Sequence, residues 1–164
     1  MKEFLTRKRN RLEGYDYSKA GSYFITICVK DRHELLGTVV GATVLGRPYV
    51  KLNKIGTIVD TAITHNSRND ANIDYYIIMP NHIHMIVKIS PKTGDRGRSP
   101  LQSIIRNMKS YITKQIGFSP WQKSFHDHII RNDDEYNRIA EYIVSNPATW
   151  EADCFHPSKT EKNQ

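Results

Sequence analysis

The chain has 164 residues, enough for one domain with a buried core. Its 24 Lys and Arg against 17 Asp and Glu give a net charge of +7, which favours a polyanionic partner such as nucleic acid. Cys28 and Cys154 are too few for a disulfide framework or a Cys-based zinc site. No apolar run is long enough to span a bilayer, and no hydrophobic segment follows the basic start. We therefore expect a cytoplasmic protein without a membrane partner.

Three regions are predicted along the chain. Residues 1–20 form a basic arm suited to phosphate contacts, or a solvated terminus. Residues 21–150 form the folded domain, and residues 151–164 form a polar, frayed tail. The arm side chains that we assign to DNA are Arg7, Lys8, Arg9 and Arg11.

Hydrophobic periodicity predicts alternating strands and helices within the domain. The predicted elements are strand 22–29, a β-hairpin within 35–52, helix 53–69, strands 72–79 and 82–89, helix 100–117, strand 124–130 and helix 133–144. The predicted N-caps are Asn53, Ser99 and either Asn132 or Asp133. Without the hairpin, this order predicts an α+β, ferredoxin-like fold: an antiparallel sheet with helices on one face, plus a hairpin insertion and a C-terminal helix.

A His-x-His pair lies on the strand 82–89. Alternation along a strand places His82 and His84 on one side, together with Ile86 and Lys88. Buried histidines are costly unless their nitrogens have partners. The pair therefore indicates either a metal site or two hydrogen-bonded core histidines.

The helix 100–117 carries a tyrosine and an amide four residues apart. Tyr111 and Gln115 share one helical face, with Gln115 inside the apolar stripe and Tyr111 at its margin. Both are predicted to point towards the sheet. The amide oxygen of Gln115 is then a candidate third metal ligand, and Tyr111 a candidate nucleophile. Taken alone, a tyrosine at this position is more often a partly exposed packing residue than a nucleophile.

A second His-x-His pair, His126 and His128, flanks Asp127. These residue types bind zinc, but no third partner stands out at suitable spacing. We expect a structural or DNA-contacting role, with a structural zinc site as the alternative.

Further basic and aromatic residues are candidates for DNA contact. The phosphate-contact candidates are Lys92, Arg96 and Arg98 in the loop and Arg106, Lys109 and Lys114 on the following helix. The candidates for stacking on unpaired bases are Tyr15, Tyr17, Trp121 and Phe125, for which core packing is the alternative.

Several stretches resemble a known family. PNHIHMIV is similar to the His-hydrophobic-His motif of the HUH single-strand nucleases, and YITKQ is similar to their tyrosine helix. GYDYSKAGSYFITICV and WQKSFHDHIIRNDDEYNRIAEYIVSNPATW resemble the REP-associated tyrosine transposases. Together these stretches cover most of residues 7–150.

The resemblance implies a mechanism and a substrate. His82, His84 and Gln115 would hold Mg²⁺ or Mn²⁺, and Tyr111 would attack the DNA to form a 5′-phosphotyrosine. The implied partner is single-stranded or hairpin DNA, and the implied assembly is a monomer or a homodimer. The alternatives are a catalytically silent DNA- or RNA-binding module and a metal-dependent hydrolase with water as the nucleophile.

Overall fold

The computed structural model describes residues 19–41, 46–69, 72–90 and 100–159, with the backbone alone for 67–69. The strands are β1 (Gly21–Cys28), β2 (Gly37–Val40), β3 (Tyr49–Leu52), β4 (Asn72–Ile78), β5 (His82–Ile89) and β6 (His126–Ile130). The helices are α1 (Lys54–Asn69), α2 (Pro100–Ile116) and α3 (Asp133–Ser145), with 3-10 helices at Lys30–Arg32 and Asn146–Ala152. The predicted elements are confirmed to within about two residues.

The main sheet has the strand order β4-β5-β1-β6, and all neighbouring strands are antiparallel. With β2 and β3 set aside, the middle of the sheet holds the first and third strands, which is the ferredoxin-like order. The predicted fold class is therefore confirmed. Among the described residues, the strands β2 and β3 pair with each other alone and form the predicted hairpin outside the main sheet.

The two faces of the sheet carry different helices. The side chains of Ile83, Met85 and Val87 point to a core shared with α1 and α2. Ile86, which points the other way, packs with Ile143 and its neighbours on α3. The prediction of helices on one face thus holds for α1 and α2, while the C-terminal helix α3 covers the opposite face.

Local contacts explain where the helices begin. Asn53 Oδ1 accepts the Gly56 amide hydrogen at 3.0 Å and so caps α1. Asn132 Oδ1 accepts the Glu135 amide hydrogen at 2.8 Å and caps α3. Ser99, the predicted cap of α2, lies outside the described residues.

The chain after α3 differs from the predicted frayed tail. Trp150 is buried, Asp153 is only 8% exposed, and Phe155 is partly buried. Burial of aromatic rings lowers the free energy, and a carboxylate can be buried when it has hydrogen-bond donors. This segment therefore packs against the folded domain. The described part of the predicted tail, residues 151–159, therefore belongs to the folded unit. No helix in the described ranges is long and apolar enough to cross a membrane.

Candidate active site

His82 and His84 lie at the beginning of β5 and point to the α3 face of the sheet. They are 0% and 2% exposed, and their ring centroids are 4.5 Å apart. In the β1–β5 register, His82 lies opposite Cys28 and His84 opposite Thr26. The predicted shared side of the two histidines is therefore confirmed, and both rings are in a dry environment.

The neighbouring amide of Asn81 determines which nitrogen of His82 carries hydrogen. Asn81 Nδ2 donates to the carbonyl oxygens of Arg32 at 3.1 Å and Phe155 at 2.8 Å. This fixes the orientation of the amide, so its oxygen is the atom 2.9 Å from His82 Nδ1. A carbonyl oxygen can only accept, and Nδ1 must therefore be the protonated nitrogen. His82 Nε2 keeps its lone pair, and it is buried with no partner among the described residues.

His84 is held from two sides. Its Nδ1 lies 2.8 Å from the hydroxyl oxygen of Thr26, and its Nε2 lies 3.3 Å from the hydroxyl oxygen of Tyr142 on α3. When Nδ1 donates to Thr26, the lone pair of Nε2 is available to Tyr142 or to another electron-pair acceptor. In both histidines, Nδ1 is therefore held by a neighbouring side chain and Nε2 is the nitrogen that can bind a cation.

Burial keeps both imidazoles neutral. It lowers the pKa of His82 from 6.5 to about 2, with smaller contributions from His84 and Arg32. It lowers the pKa of His84 from 6.5 to about 3. A neutral imidazole is the form that binds a metal ion.

Asp153 and Asn146 complete the cluster. One ligand atom each from His82, His84 and Asp153 can be chosen so that all lie within 4.8 Å of one another. Asn146 is fully buried, and its Nδ2 donates to Asp153 Oδ2 at 3.3 Å. The oxygen of the same amide is buried and has no partner in the described part of the chain.

These residues fit a divalent metal ion. Buried acceptors normally have a donor, because leaving one unpaired costs free energy. Here His82 Nε2 and Asn146 Oδ1 both lack one, and a cation would satisfy both. Two imidazoles with a carboxylate and an amide oxygen suit Mn²⁺ or a later divalent metal better than the all-oxygen sites that Mg²⁺ prefers.

Tyr142 is the tyrosine that the structure places at this cluster. Its hydroxyl contacts His84 Nε2. Its side chain is 39% exposed, so part of the ring faces solvent. Burial raises the pKa of Tyr142, the charge of Asp153 raises it further, and a hydrogen bond from Asn146 acts in the opposite direction. The hydroxyl therefore keeps its proton at neutral pH.

Aromatic rings from the C-terminal segment cover the histidines. The ring centroids of Phe155 and Trp150 lie 4.5 Å and 5.9 Å from that of His82. Arg32 holds this segment in place, because its guanidinium donates to the carbonyl of Cys154 at 2.8 Å. The covering rings account for the near-complete burial of the pair.

The predicted positions of Tyr111 and Gln115 are corrected by the structure. The α2 helix packs on the face opposite to the histidines, through buried residues such as Ile112. Tyr111 is 43% exposed and Gln115 is exposed, so neither side chain enters the sheet core. The structure brings His82 and His84 together as predicted, but it does not bring this tyrosine or this glutamine to them.

The predicted DNA contacts divide into two groups. Those outside the described residues are Arg7, Lys8, Arg9, Arg11, Lys92, Arg96, Arg98, Tyr15 and Tyr17. On α2, Arg106 and Lys114 are exposed, whereas Lys109 donates to two backbone carbonyls and is partly buried. Because of these bonds, Lys109 anchors a loop as well as carrying charge.

The second His-x-His pair shows no metal cluster in the described residues. His126 and His128 are exposed on β6, and His128 Nε2 pairs with Glu135 at 2.7 Å. This pairing gives His128 a partner without a zinc ion.

Sequence reasoning missed Tyr142, Asn146 and Asp153. A signal for the first two was present, because Tyr142 and Asn146 have the same four-residue spacing as Tyr111 and Gln115. The spacing alone does not say which helix faces the histidines. Asp153 carried no local signal, since it lies in the segment predicted to be frayed.

Comparisons with known proteins give similarities in sequence and in fold. No protein-family model matches the chain. An uncharacterised protein of Haemophilus influenzae is 32% identical over an alignment of 173 positions, and the match covers 92% of this chain and 93% of that protein. The REP-associated tyrosine transposase of Escherichia coli K12 is 25% identical over an alignment of 150 positions, and the match covers 85% of this chain and 79% of that protein. The chain is therefore similar in sequence to a REP-associated tyrosine transposase over most of its length.

The fold of the chain is also similar to a solved structure. That structure is described as a REP-associated tyrosine transposase bound to a REP hairpin. The TM-score is 0.61 at 24% identity, and the match covers 85% of this chain and 74% of the other. The match supports the fold, and the sequence relationship to a REP-associated tyrosine transposase supports a transposase-like function.

Proposed function

We propose that this protein cuts and rejoins single-stranded DNA, with Tyr142 as the nucleophile. A divalent ion would be held by His82, His84 and Asp153. The observation that carries the proposal is the pair of unpartnered buried acceptors, His82 Nε2 and Asn146 Oδ1, in a cluster with a tyrosine hydroxyl 3.3 Å from His84 Nε2. A cation would stabilise this arrangement, and a nucleophile already lies beside it.

Each residue of the site has a separate role in the proposed reaction. A bound ion, Mn²⁺ or Mg²⁺, supplies positive charge that offsets the phosphate in the transition state and favours ionisation of the tyrosine. Asn81 and Thr26 fix the rings of His82 and His84, so that both Nε2 atoms point to one place. Tyr142 keeps its hydroxyl proton until a substrate and an ion are present, because burial raises its pKa.

The chemistry is a transesterification. The hydroxyl oxygen of Tyr142 loses its proton and attacks the phosphorus, forming a 5′-phosphotyrosine. The bond from phosphorus to the 3′ oxygen breaks, and that oxygen leaves with a proton as a free 3′-OH. A second 3′-OH can attack the phosphotyrosine, which releases Tyr142 and joins two strands. The phosphodiester energy is kept, so no nucleotide cofactor is needed.

Hairpin-forming single-stranded DNA is the proposed substrate. The net charge of +7 favours a polyanion. The related solved structure is described as bound to a REP hairpin. A folded repeat with unpaired flanks combines a duplex shape with a reachable single strand, and we extend this substrate class to the present chain.

Formation of a covalent adduct with DNA tests the nucleophile. Labelled single-stranded hairpins are incubated with the protein and Mn²⁺, and adducts are resolved on a denaturing gel. Tyr142→Phe should abolish the adduct and leave DNA binding intact. Tyr111→Phe is the matched control, because it removes the same hydroxyl from an exposed position on the opposite face, and its adduct yield should equal that of the unmodified protein. The reverse pattern would restore Tyr111 and reject Tyr142.

A binding module that never cuts is the second candidate. The observation that favours it is the cover of Phe155 and Trp150 over His82, which leaves the histidines almost no contact with solvent. Binding without any adduct across a broad set of hairpins would support this candidate. Cleaved DNA that persists in Tyr142→Phe would instead indicate a hydrolase with water as the nucleophile.

A further inference from the structure

A cavity of about 360 Å³ lies between α2 and the segment that leads into β6. This volume falls in the range of about 300–1,000 Å³ that is usual for small-molecule sites. Apolar walls come from Ile105 on α2 and from Trp121 and Phe125 on the incoming segment. The cationic side chains at the cavity are Arg106, Lys109 and Lys123. We call it the α2 cavity; it lies on the face of the sheet opposite to the histidines.

We propose that the α2 cavity binds one unpaired nucleotide of the DNA substrate, with its base against Phe125 and its phosphate near Arg106 and Lys123. The inference rests on the proposed function and adds a second contact site to it. An aromatic side chain beside cations is the arrangement with which proteins hold single strands. The base gains a stacking surface, and the phosphate gains compensating charge.

The walls of the cavity are held in a fixed shape. Lys109 donates to the carbonyl oxygens of Gln122 and Ser124, each at 3.0 Å, and thereby ties α2 to the incoming segment. Trp121 is 6% exposed and packs into the hydrophobic core, which fixes this wall of the cavity. A preformed cavity of this kind loses little entropy when it binds.

The backbone connects the α2 cavity to the candidate active site. Gln122, which lines the cavity, donates its amide hydrogen to the carbonyl of Cys28 at 2.9 Å. Cys28 lies opposite His82 in the β1–β5 register. Two strand spacings make a separation on the order of 10 Å between these backbones. A few nucleotides cover that distance, since a strand of duplex DNA rises about 3.4 Å per nucleotide. The backbones that carry the two places are therefore only a few nucleotides apart, although the cavity and the histidines lie on opposite faces of the sheet.

Binding of flanked and unflanked hairpins tests the inference. Fluorescence anisotropy is measured in EDTA, so that cleavage plays no part, with a hairpin that carries unpaired flanks and with the same stem and loop alone. The double variant Arg106→Gln, Lys123→Gln and the single variant Phe125→Leu should each weaken binding of the flanked hairpin about tenfold. Binding of the unflanked hairpin should change by less than about twofold. Iododeoxyuridine placed at successive flank positions should cross-link to Phe125 or Trp121 from one position.

The control is a double variant that removes two positive charges, as the cavity double variant does. Lys51→Gln with Lys54→Gln removes two exposed cations from β3 and the start of α1, outside the cavity. Cavity variants that behave like this control overturn the inference. Equal weakening of both hairpins also overturns it, because the cavity would then contact the duplex. If the unmodified protein forms no adduct with DNA while the cavity variants still weaken binding of the flanked hairpin, the proposed chemistry is rejected and the cavity inference stands. The two failures are therefore distinguishable.

Discussion

The side chain of Asn81 uses both of its N–H hydrogens on backbone carbonyls and its oxygen on His82. These bonds join three parts of the chain: the 3-10 helix after β1 through Arg32, the strand β5, and the C-terminal segment through Phe155. A residue that orients a ligand in this way commonly contributes a factor of about 10–100 to metal affinity. Asn81 is therefore a positioning residue for the proposed ion.

Replacing Asn81 tests this role. In Asn81→Ala, His82 loses the acceptor that keeps hydrogen on Nδ1, so Nε2 is no longer reserved for the ion. We expect Mn²⁺ affinity, measured by titration calorimetry, to fall about 10- to 100-fold. Asn137→Ala, at an exposed position on α3, is the control and should bind Mn²⁺ like the unmodified protein. Unchanged affinity in Asn81→Ala would contradict the assignment.

The choice between two tyrosines shows what the sequence supplies at this scale. Tyr111 with Gln115 and Tyr142 with Asn146 satisfy the same spacing, so local pattern cannot separate them. The information that does separate them lies in β5, where one side of the strand is Ile83, Met85, Val87 and Ile89. A wholly apolar row faces the two helices that connect the strands, so His82 and His84 must face away from α2. The position of the two histidines on one side of a strand could be predicted from the sequence. The choice of tyrosine required knowing which helix packs on that side of the sheet.

Among the elements, α1 approaches the β2–β3 hairpin unusually closely. A Cβ built on Gly56 would lie 2.0 Å from the carbonyl oxygen of Leu36, and that oxygen also accepts the amide hydrogen of Asn53. Glycine is thus required by the contact, although it lowers the propensity of the helix by about 1 kcal/mol.

Substituting this glycine should destabilise the protein. In Gly56→Ala, the gain of about 1 kcal/mol in helix propensity is outweighed by overpacking against backbone, which costs about 1–3 kcal/mol or more. Chemical denaturation should show a lower free energy of unfolding. Thr61→Ala, at an exposed position of α1, is the control and should change it by no more than about 0.5 kcal/mol. A more stable Gly56→Ala variant would show that the hairpin moves away without cost.

The C-terminal segment is the element that most affects access to the candidate site. Removing the ring of Phe155 would uncover His82 while leaving Asp153 in place. We expect Phe155→Ala to increase the initial rate of adduct formation, measured on denaturing gels, by about threefold or more, since an opening cost of about 0.7 kcal/mol corresponds to that factor. Phe118→Ala, an exposed aromatic position after α2, should leave the rate unchanged. A slower Phe155→Ala enzyme would mean that the ring contacts the substrate.

Elements were easier to predict than their placement. Each strand and helix carries its own period and caps, as Asn53 and Asn132 show, so the secondary structure followed from local pattern. The segment after Trp150 has no period, and its burial depends on contacts with residues more than 60 positions earlier, such as His82 and Asn81. Contacts between residues so far apart in the chain leave no pattern in the local sequence. The polar composition of the segment was the only local signal, and it predicted a frayed tail.

For the whole molecule, the buried histidines link stability to pH. In the unfolded chain both groups have the ordinary pKa of 6.5, whereas burial lowers the pKa values to about 2 and 3 in the folded protein. Between pH 6.5 and about 3 the unfolded chain binds more protons, so stability is present above pH 6.5 and is lost as the pH falls below it. Each group contributes a slope of up to about 1.4 kcal/mol per pH unit.

Denaturation of the metal-free protein at several pH values checks this linkage. The free energy of unfolding in urea should decrease steeply from pH 6.5 to pH 5, and His84→Gln should have a shallower slope. His126→Gln removes an exposed histidine from β6 and should keep the slope of the unmodified protein. A free energy that stays constant over this interval would contradict neutral burial of the pair.

The separation of the two sheet faces has a consequence for how such proteins diverge. The α1–α2 face holds most of the core, whereas Tyr142 lies on α3 and is 39% exposed. A tyrosine codon becomes a phenylalanine codon by a single base change, which would remove one oxygen atom from the surface of α3 and leave the core untouched. On the proposed function, this single mutational step would convert a nicking enzyme into a protein that only binds DNA, and a reversion would restore the original.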